Sequence, residues 1–462
     1  MTNTKILLPF FILLTLLTFF SYQIPFFWDS TFFSALSVNF YNSGMNGFIA
    51  PESFDTGGFP LYSIYLTMLW KCFEKTLLVS HLAILPFLFG VVYEFFKLAK
   101  RYLSDKTIVI AIVLLILEPV FITQSILMGY DIIIAYFFLL SLNALYNNKN
   151  NLLSIALVLL CLISIRGIML ASAVFILDLL YNRKLNFHFL RNYIPAFLTL
   201  LLWAIYHKQQ TGWYIFSPIR EGNAEQFSGI RMMFHQFIYI LWKNLDMGRV
   251  ALWMTLGYFF LYNIKKIKSI QHKEIIRNLC VPFFVLAFFM ILIKNPIGHK
   301  YFLVVCSMLI IATCYFIQHI EKQNIRRLLF IMLATCLIAG NFIIYPQRYG
   351  NAWDSSLKII PYFEMEHRMR HYTNMNHIAP ETIGTQFPLT NDFHNSTLNN
   401  DPNKPYTDIE TNSINNFAYF LYSNIINSGR MDDLENIKKN WFVEKEIKSG
   451  MVELILYKNP NF

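Results

Sequence analysis

Ionisable side chains within or beside long apolar segments are the residues of this chain best suited to chemistry, because each is costly to place there. Asp29, Asp131 and Arg166 have the most useful types. A carboxylate can act as a general base or a metal ligand, and a guanidinium can bind a phosphate group through two hydrogen bonds. The alternative is that each of the three caps a helix or contacts lipid headgroups. His81 and Glu118 occupy comparable positions in other apolar segments.

The composition defines the environment of these groups. The chain has 462 residues, of which 55% are hydrophobic and only 14% are charged. In soluble domains roughly a quarter of all residues are charged. No soluble core can enclose so large an apolar fraction. The six cysteines lie in or beside apolar segments and show no C-x-x-C spacing, which argues against a disulfide framework or a zinc-thiolate site. We therefore predict an α-helical polytopic membrane protein.

Eleven apolar segments are predicted to cross the membrane. The first continues almost unbroken from Ile6 to Phe27 without a small-residue cleavage site, so we interpret it as an uncleaved span and not as a signal peptide. Several others are shorter than the ~20 residues of a perpendicular helix. The segments are 6–27, 76–97, 107–126, 131–147, 151–165, 168–182, 188–206, 247–264, 278–293, 300–318 and 326–345.

Charges in the connecting loops orient this predicted bundle. One set of loops holds 17 Lys and Arg residues, whereas the opposite set (26–58, 127–130, 207–246 and 294–300) holds six. By the positive-inside rule the first set is cytoplasmic, which puts the N-terminus inside and the C-terminal tail outside. All five ionisable groups named above then lie toward the outer face. The net charge of +10 reflects this loop bias, and we predict no nucleic-acid partner.

Two outer segments do not fit the pattern of a span. Residues 28–58 contain no Lys or Arg, and the spacing of Phe32, Leu36 and Phe40 predicts a helix that lies in the membrane surface. Residues 59–73 are apolar over only 15 positions, which predicts a half-membrane or interfacial helix on the outer side.

The tail, residues 346–462, is polar, with 11 Lys and Arg against 14 Asp and Glu. Alternating runs at 418–422 and 452–457 predict strands, and 431–440 predicts a helix. We predict that the tail is a small extracytoplasmic α+β domain that follows a transmembrane domain over 1–345.

The order of several short motifs resembles the GT-C class of glycosyltransferases, which includes the protein O-mannosyltransferases, the lipid A aminoarabinose transferases and the bacterial PMT-2 or Rgt-like family. The resemblance spans most of 1–345. Its carriers are Trp28-Asp29, Gly57-Gly58-Phe59-Pro60-Leu61-Tyr62, the stretch from Glu118-Pro119 to Asp131, and Ser164-Ile165-Arg166-Gly167. The chain departs from the class at Ser30, where a Glu often follows the Asp, and at His81, which stands in place of an Arg.

The resemblance implies an integral-membrane glycosyltransferase that moves a sugar from a polyprenyl-phosphate donor to an acceptor hydroxyl at the outer face, with inversion. Asp29 would accept the proton of the acceptor, and Arg166, helped by His81, would neutralise the departing polyprenyl phosphate. Asp131 would orient the acceptor or join Asp29 around a divalent ion, and metal dependence stays open because it varies across the class.

Further substrate-binding candidates are Glu118, Tyr62 and His235, the last of which could line the acceptor side from the 207–246 loop. The pair His299-Lys300 opens a predicted span at the outer face, where lipid headgroups are the expected contact and a lipid phosphate is the alternative.

Other functions stay open at this stage. A transporter or lipid flippase is one, although neither symmetric halves nor Gly/Pro-broken midplane helices are evident. A membrane scaffold whose outer tail binds a partner is another. For the enzyme, the expected partners are the polyprenyl-linked sugar donor, a lipid, glycan or protein acceptor, and membrane lipids, in the inner (cell) membrane of a bacterium.

Overall fold

Helices make up most of the protein. The computed structural model describes residues 3–52, 55, 57–182, 187–214, 229–263, 270–292, 297–345, 352–399, 404–409, 414–426 and 431–462. The helices are Asn3–Ser21 (α1), Asp29–Ser43 (α2), Leu61–Cys72 (α3), Leu77–Ala99 (α4), Asp105–Leu117 (α5), Pro119–Ile126 (α6), Asp131–Tyr146 (α7), Asn150–Ile163 (α8), Ile165–Asn182 (α9), Phe187–Leu190 (α10), Ile194–Thr211 (α11), Ile230–Leu245 (α12), Arg249–Asn263 (α13), Ile270–Leu292 (α14), Leu303–Gln318 (α15), Gln323–Gly340 (α16), Ile360–Met375 (α17), Phe393–Thr397 (α18) and Met431–Asn440 (α19).

Within the described ranges, six helices are long and apolar enough to cross a membrane. They are α1, α4, α9, α14, α16, and α15 taken with the 3-10 turn that precedes it. The bent pair α5 and α6 adds a seventh, and α7, α8 and α13 are shorter apolar helices. Each predicted span thus corresponds to a helix or a pair of helices. The chain is a multi-pass membrane protein, as the composition predicts.

The observed helices differ from the predicted segments at two places, both at the end of the bundle that carries Asp29, which we call the outer end. α1 stops at Ser21, and residues 22–28 are not helical. The 107–126 segment bends by 61° because Pro119, which has no N–H to donate, starts a new helix that Glu118 caps. Arg166 lies in the first turn of α9, directly after the short connection at Ser164 that joins α8 to α9.

α7 and α15 form the centre of the bundle. Every residue of α7 except Tyr136 is buried, and every residue of α15 except Gln318 is buried. A helix that is apolar on all sides requires neighbours on all sides. The start of α7, with Asp131, and the turn before α15, with Lys300, are therefore fixed by dense packing.

Helices α2 and α3 pack against each other at the outer end. Ser63 Oγ donates to the Phe33 carbonyl over 3.1 Å, and Thr67 Oγ1 donates to the Ser37 carbonyl over 3.0 Å. Both helices were expected from the sequence, and their depth in the membrane stays a prediction. Residues 230–245, expected as part of a loop, form the helix α12, whose exposed face is apolar.

The tail folds around a mixed five-stranded sheet. Its strands are Ile383–Thr385 (β1), Thr407–Asp408 (β2), Tyr419–Ser423 (β3), Phe442–Ser449 (β4) and Val452–Lys458 (β5), in the order β2-β1-β3-β5-β4. β1 runs parallel to β2 and β3, and β5 runs antiparallel to β3 and β4. The predicted strands and the α19 helix are confirmed to within a residue or two. The predicted domain boundary adjoins 346–351, which lie outside the described residues, and it stays a prediction.

The tail is attached to the outer end by polar and aromatic contacts. Phe26 N donates to the Ser396 carbonyl over 2.9 Å, and Ser34 Oγ donates to the Asn395 carbonyl over 2.5 Å. The Phe27 ring lies 5.5 Å from that of Tyr362, between ring centroids. The residues that follow α1 thus serve as the docking platform for the tail.

Candidate functional site

A cavity of about 460 Å³ lies between α2 and the tail. Small-molecule sites in proteins have volumes of roughly 300–1,000 Å³. The bundle and the tail each contribute one wall. The described lining residues are Trp28, Asp29, Thr31, Phe32, Phe33, Ala35 and Tyr130 on the bundle side, and Phe387, Thr390, Asn391, Asp392 and Asn395 on the tail side.

Asp29 supplies a carboxylate to the bundle wall, and this carboxylate is open to the cavity. It is the first residue of α2, where the helix dipole favours a negative charge, and its side chain is 37% exposed. Burial raises the pKa of Asp29. The Lys300 ammonium at 2.6 Å and the more distant Arg166 guanidinium lower this pKa by more than burial raises it. The pKa of Asp29 therefore lies below its usual value, and the group is a carboxylate at neutral pH.

Lys300 connects the two parts of the protein. It lies in the 3-10 turn before α15 and is only 4% exposed. Its Nζ is 2.6 Å from Asp29 Oδ2 and 2.5 Å from Asp354 Oδ2, the latter supplied by the tail. A buried ammonium requires such carboxylate partners. The expectation that Lys300 meets lipid headgroups is wrong, because the two carboxylates already surround it.

Arg166 and Asp131 form a second buried ion pair beside the first. Arg166 Nη1 donates to Asp131 Oδ1, and its Nη2 donates to Tyr130 Oη. The guanidinium also stacks on the Tyr301 ring, 3.9 Å from its centroid. Tyr130 lines the cavity as well, so this pair lies directly behind the cavity wall. The structure thus brings Asp29, Asp131 and Arg166 to one place.

Glu118 belongs to a separate ion pair. Its Oε1 accepts from Arg249 Nε at 2.9 Å and from Arg249 Nη2 at 2.7 Å, and its Oε2 accepts from Phe121 N at 2.7 Å. Both side chains are at most 1% exposed. Arg249 also donates to the backbone carbonyls of Lys243 and His299. The pair ties the α5–α6 bend to α13 and to the turn that carries Lys300.

One solved structure has a similar fold over nearly the whole chain. It is the crystal structure of ArnT from Cupriavidus metallidurans bound to undecaprenyl phosphate, with a TM-score of 0.53, 11% sequence identity and coverage of 98% of both chains. The protein has an ArnT-like fold. This fold agrees with the polytopic helical bundle and small C-terminal domain that the sequence predicts. No protein-family model and no curated protein sequence matches the chain.

In this ArnT-like fold, three other predicted site residues lie apart from the cavity lining. Tyr62 is buried, and its hydroxyl donates to the Met128 carbonyl over 3.2 Å. His81 is fully buried, with Nε2 2.9 Å from the Ile24 carbonyl. His235 is exposed on α12. Their assignment to substrate binding stays a prediction, and the contacts of Tyr62 and His81 are internal to the fold.

Several residues at the candidate site were not identified from the sequence. Asp354 is far from Asp29 in sequence, and no local motif marks it. Tyr301 follows Lys300, and nothing in the sequence indicates that its ring stacks on Arg166. Arg249 could have been found, because it is a charged residue at the start of the apolar 247–264 segment, and such residues are costly unless paired.

The described residues do not fit a divalent metal site. In that part of the chain, no three His, Cys, Asp or Glu side chains lie close enough together to share an ion. The carboxylates of Asp29 and Asp131, the pair considered from the sequence, are each held by a cation of the protein itself.

Proposed function

We propose that this protein is a membrane glycosyltransferase. It transfers a sugar from a polyprenyl-phosphate donor to an acceptor hydroxyl at the outer face of the membrane and inverts the anomeric carbon. The observation that carries this proposal is the Asp29 carboxylate, open to a cavity of about 460 Å³ and backed by two buried cations. The similarity of the fold to that of ArnT, solved with undecaprenyl phosphate bound, supports a polyprenyl-linked donor.

In the proposed reaction, the acceptor oxygen forms a bond to the anomeric carbon while the bond from that carbon to the phosphate oxygen breaks. The leaving polyprenyl phosphate keeps the electron pair of that bond, and the acceptor proton passes to Asp29. Because the transition state of glycosyl transfer resembles an oxocarbenium ion, the acceptor proton becomes acidic late, and a base of low pKa suffices. General-base assistance of this kind contributes roughly 10²–10⁴-fold.

The cations have a complementary role in this proposal. Lys300 keeps Asp29 ionised, and Arg166, stacked on Tyr301, provides fixed positive charge for the leaving phosphate. Fixed charges of this sort stabilise developing negative charge because they need no reorganisation during the reaction. Asp131 holds the guanidinium in place.

The test is turnover by the full chain in lipid nanodiscs, with a panel of undecaprenyl-phosphate monosaccharides as donors and release of undecaprenyl phosphate as the readout. We expect release from at least one donor. A parallel assay of fluorescent undecaprenyl phosphate in vesicles tests the transporter hypothesis. Movement of that lipid between leaflets without any sugar transfer contradicts the proposal.

A further inference from the structure

The walls of the cavity carry the chemistry of a carbohydrate site. We propose that the cavity binds the acceptor and that the acceptor is an uncharged sugar unit, not a phosphate group or a peptide. This inference rests on the proposed function, since it names the substrate class of the same site. It draws on three features of the cavity: its aromatic rings, its short polar side chains and the sign of its charges.

Two aromatic rings, one from each part of the protein, meet at the cavity. The centroids of Trp28 and Phe387 are 4.8 Å apart, and their planes are inclined by 76°. Both residues are partly exposed. Trp28 has φ 57° and ψ −130°, a conformation that is costly for a large side chain and occurs mainly where the surrounding structure enforces it. The ring is thus held at the cavity wall, where it can pack against the apolar face of a sugar ring.

Opposite α2, the tail presents short polar side chains. Thr390, Asn391, Asp392 and Asn395 line the cavity within six consecutive positions. Hydroxyl and amide groups can both donate and accept hydrogen bonds, which matches the dual character of sugar hydroxyls. The backbone contacts of Asn395 and Ser396 with the bundle hold this segment against α2. A fixed array of such groups gives orientation and specificity in a small-molecule site.

The charges of the cavity disfavour an anionic acceptor. Among the described lining residues, the ionisable groups are Asp29, Asp392 and Tyr130, and neither Lys, Arg nor His is present. Lys300 and Arg166 do not line the cavity, and Arg166 lies behind its wall, on the side that the proposed reaction assigns to the phosphate of the donor. The acceptor within the cavity therefore meets neither cation directly. A phosphate in the cavity would therefore face two carboxylates, and like charges at close range oppose binding.

The experiment measures binding of the full chain in nanodiscs to an array that carries neutral oligosaccharides, the same oligosaccharides phosphorylated, and Ser/Thr-containing peptides. We expect binding to neutral glycans and at least tenfold weaker binding to their phosphorylated forms. Phe387→Ala and Asn391→Ala should each weaken glycan binding about tenfold. The matched controls Phe442→Ala and Asn440→Ala alter exposed residues of the tail that do not line the cavity, and they should bind as the unmodified protein does.

Preference for phosphorylated glycans or for peptides overturns this inference, and so does failure to bind any glycan. Equal binding by the cavity variants and their controls also overturns it, because the site is then elsewhere. Asp29→Asn separates the two proposals. If it binds glycans normally but does not transfer sugar, both stand. If it loses transfer while phosphorylated probes bind best, the glycosyltransferase assignment stands and the acceptor class is wrong.

Discussion

The Nζ of Lys300 lies 2.6 Å from Oδ2 of Asp29, at the point where the helical bundle meets the tail. The same ammonium is 2.5 Å from Oδ2 of Asp354. One buried cation therefore controls the charge of the candidate base and also links it to the C-terminal part of the chain. Removal of either carboxylate or of the cation should have separate, measurable effects.

Lys300→Met should shift the pH dependence of the reaction. In the unmodified protein Lys300 lowers the pKa of Asp29 below its usual value, so the carboxylate is ionised and activity is flat at neutral pH. Without the ammonium the pKa of Asp29 rises, and activity is lost as the pH falls through the new value. We expect a pH–rate profile whose acid limb lies at a higher pH than that of the unmodified protein.

Lys358→Met is the matched control for that profile. Lys358, a residue of the tail, is also buried, but its Nζ donates to the Ile343 carbonyl over 2.8 Å. Its replacement should leave the acid limb where it is. A Lys300→Met profile with an unchanged acid limb would show that Lys300 does not set the ionisation of Asp29.

Asp354→Asn should loosen the attachment of the tail. It removes one of the two carboxylates on Lys300, while the Asp29 contact persists, so we expect a loss of about 1–3 kcal/mol in stability. Limited proteolysis of the protein in nanodiscs should cut the tail region faster than in the unmodified protein. Asp408→Asn, on β2, serves as the control. If both variants are cut at the rate of the unmodified protein, Asp354 does not anchor the tail.

Glu118→Gln should destabilise the protein because it leaves the Arg249 guanidinium buried without its counter-ion. Breaking a buried pair from one side costs roughly 3–5 kcal/mol. The double variant Glu118→Gln/Arg249→Met should recover part of the loss in thermal unfolding. If Glu118 instead binds substrate, the single variant would unfold as the unmodified protein does and would lose only activity.

Lys358 provides a test of stability against pH. Burial lowers its pKa to about 8, an effect that nearby Asp246 opposes and Lys243 reinforces, whereas an unfolded lysine has a pKa of 10.5. Between those values the unfolded chain binds more protons than the folded one, so stability rises with pH. Relative to Lys358→Met, the unmodified protein should gain thermal stability from pH 8 to pH 10. A constant difference between the two proteins would contradict this.

The sequence predicts the fold well because the bilayer imposes a strong local rule. Apolar length identifies helices such as α4 and α14 without any knowledge of their neighbours, and alternation identifies β3 and β5 in the same way. The predicted ends of helices are less accurate where a proline interrupts a long apolar segment, because the segment continues although the helix stops. Pro25 follows the early end of α1, and Pro119 divides α5 from α6.

The candidate site was predictable only in part. The cost of burying Asp131 and Arg166 within apolar segments identifies both, but it does not reveal that they pair with each other. The contact between Lys300 and Asp354 joins residues from the bundle and the tail. The hydrophobic periodicity of a sequence predicts helices and strands but not contacts between distant residues. The cavity wall formed by Phe387 and Asn391 was likewise invisible, because it exists only once the tail has docked.

The proposed role of Asp29 as the general base is tested by comparison of Asp29→Asn with Asp105→Asn. Both residues begin a helix, but Asp105 opens α5 and does not line the cavity. Sugar transfer from an undecaprenyl-phosphate donor is measured for both variants in nanodiscs after thermal unfolding shows that they are folded. We predict a rate lower by about 10²–10⁴-fold for Asp29→Asn and an unchanged rate for Asp105→Asn. Equal rates for the two variants would show that Asp29 is not the general base.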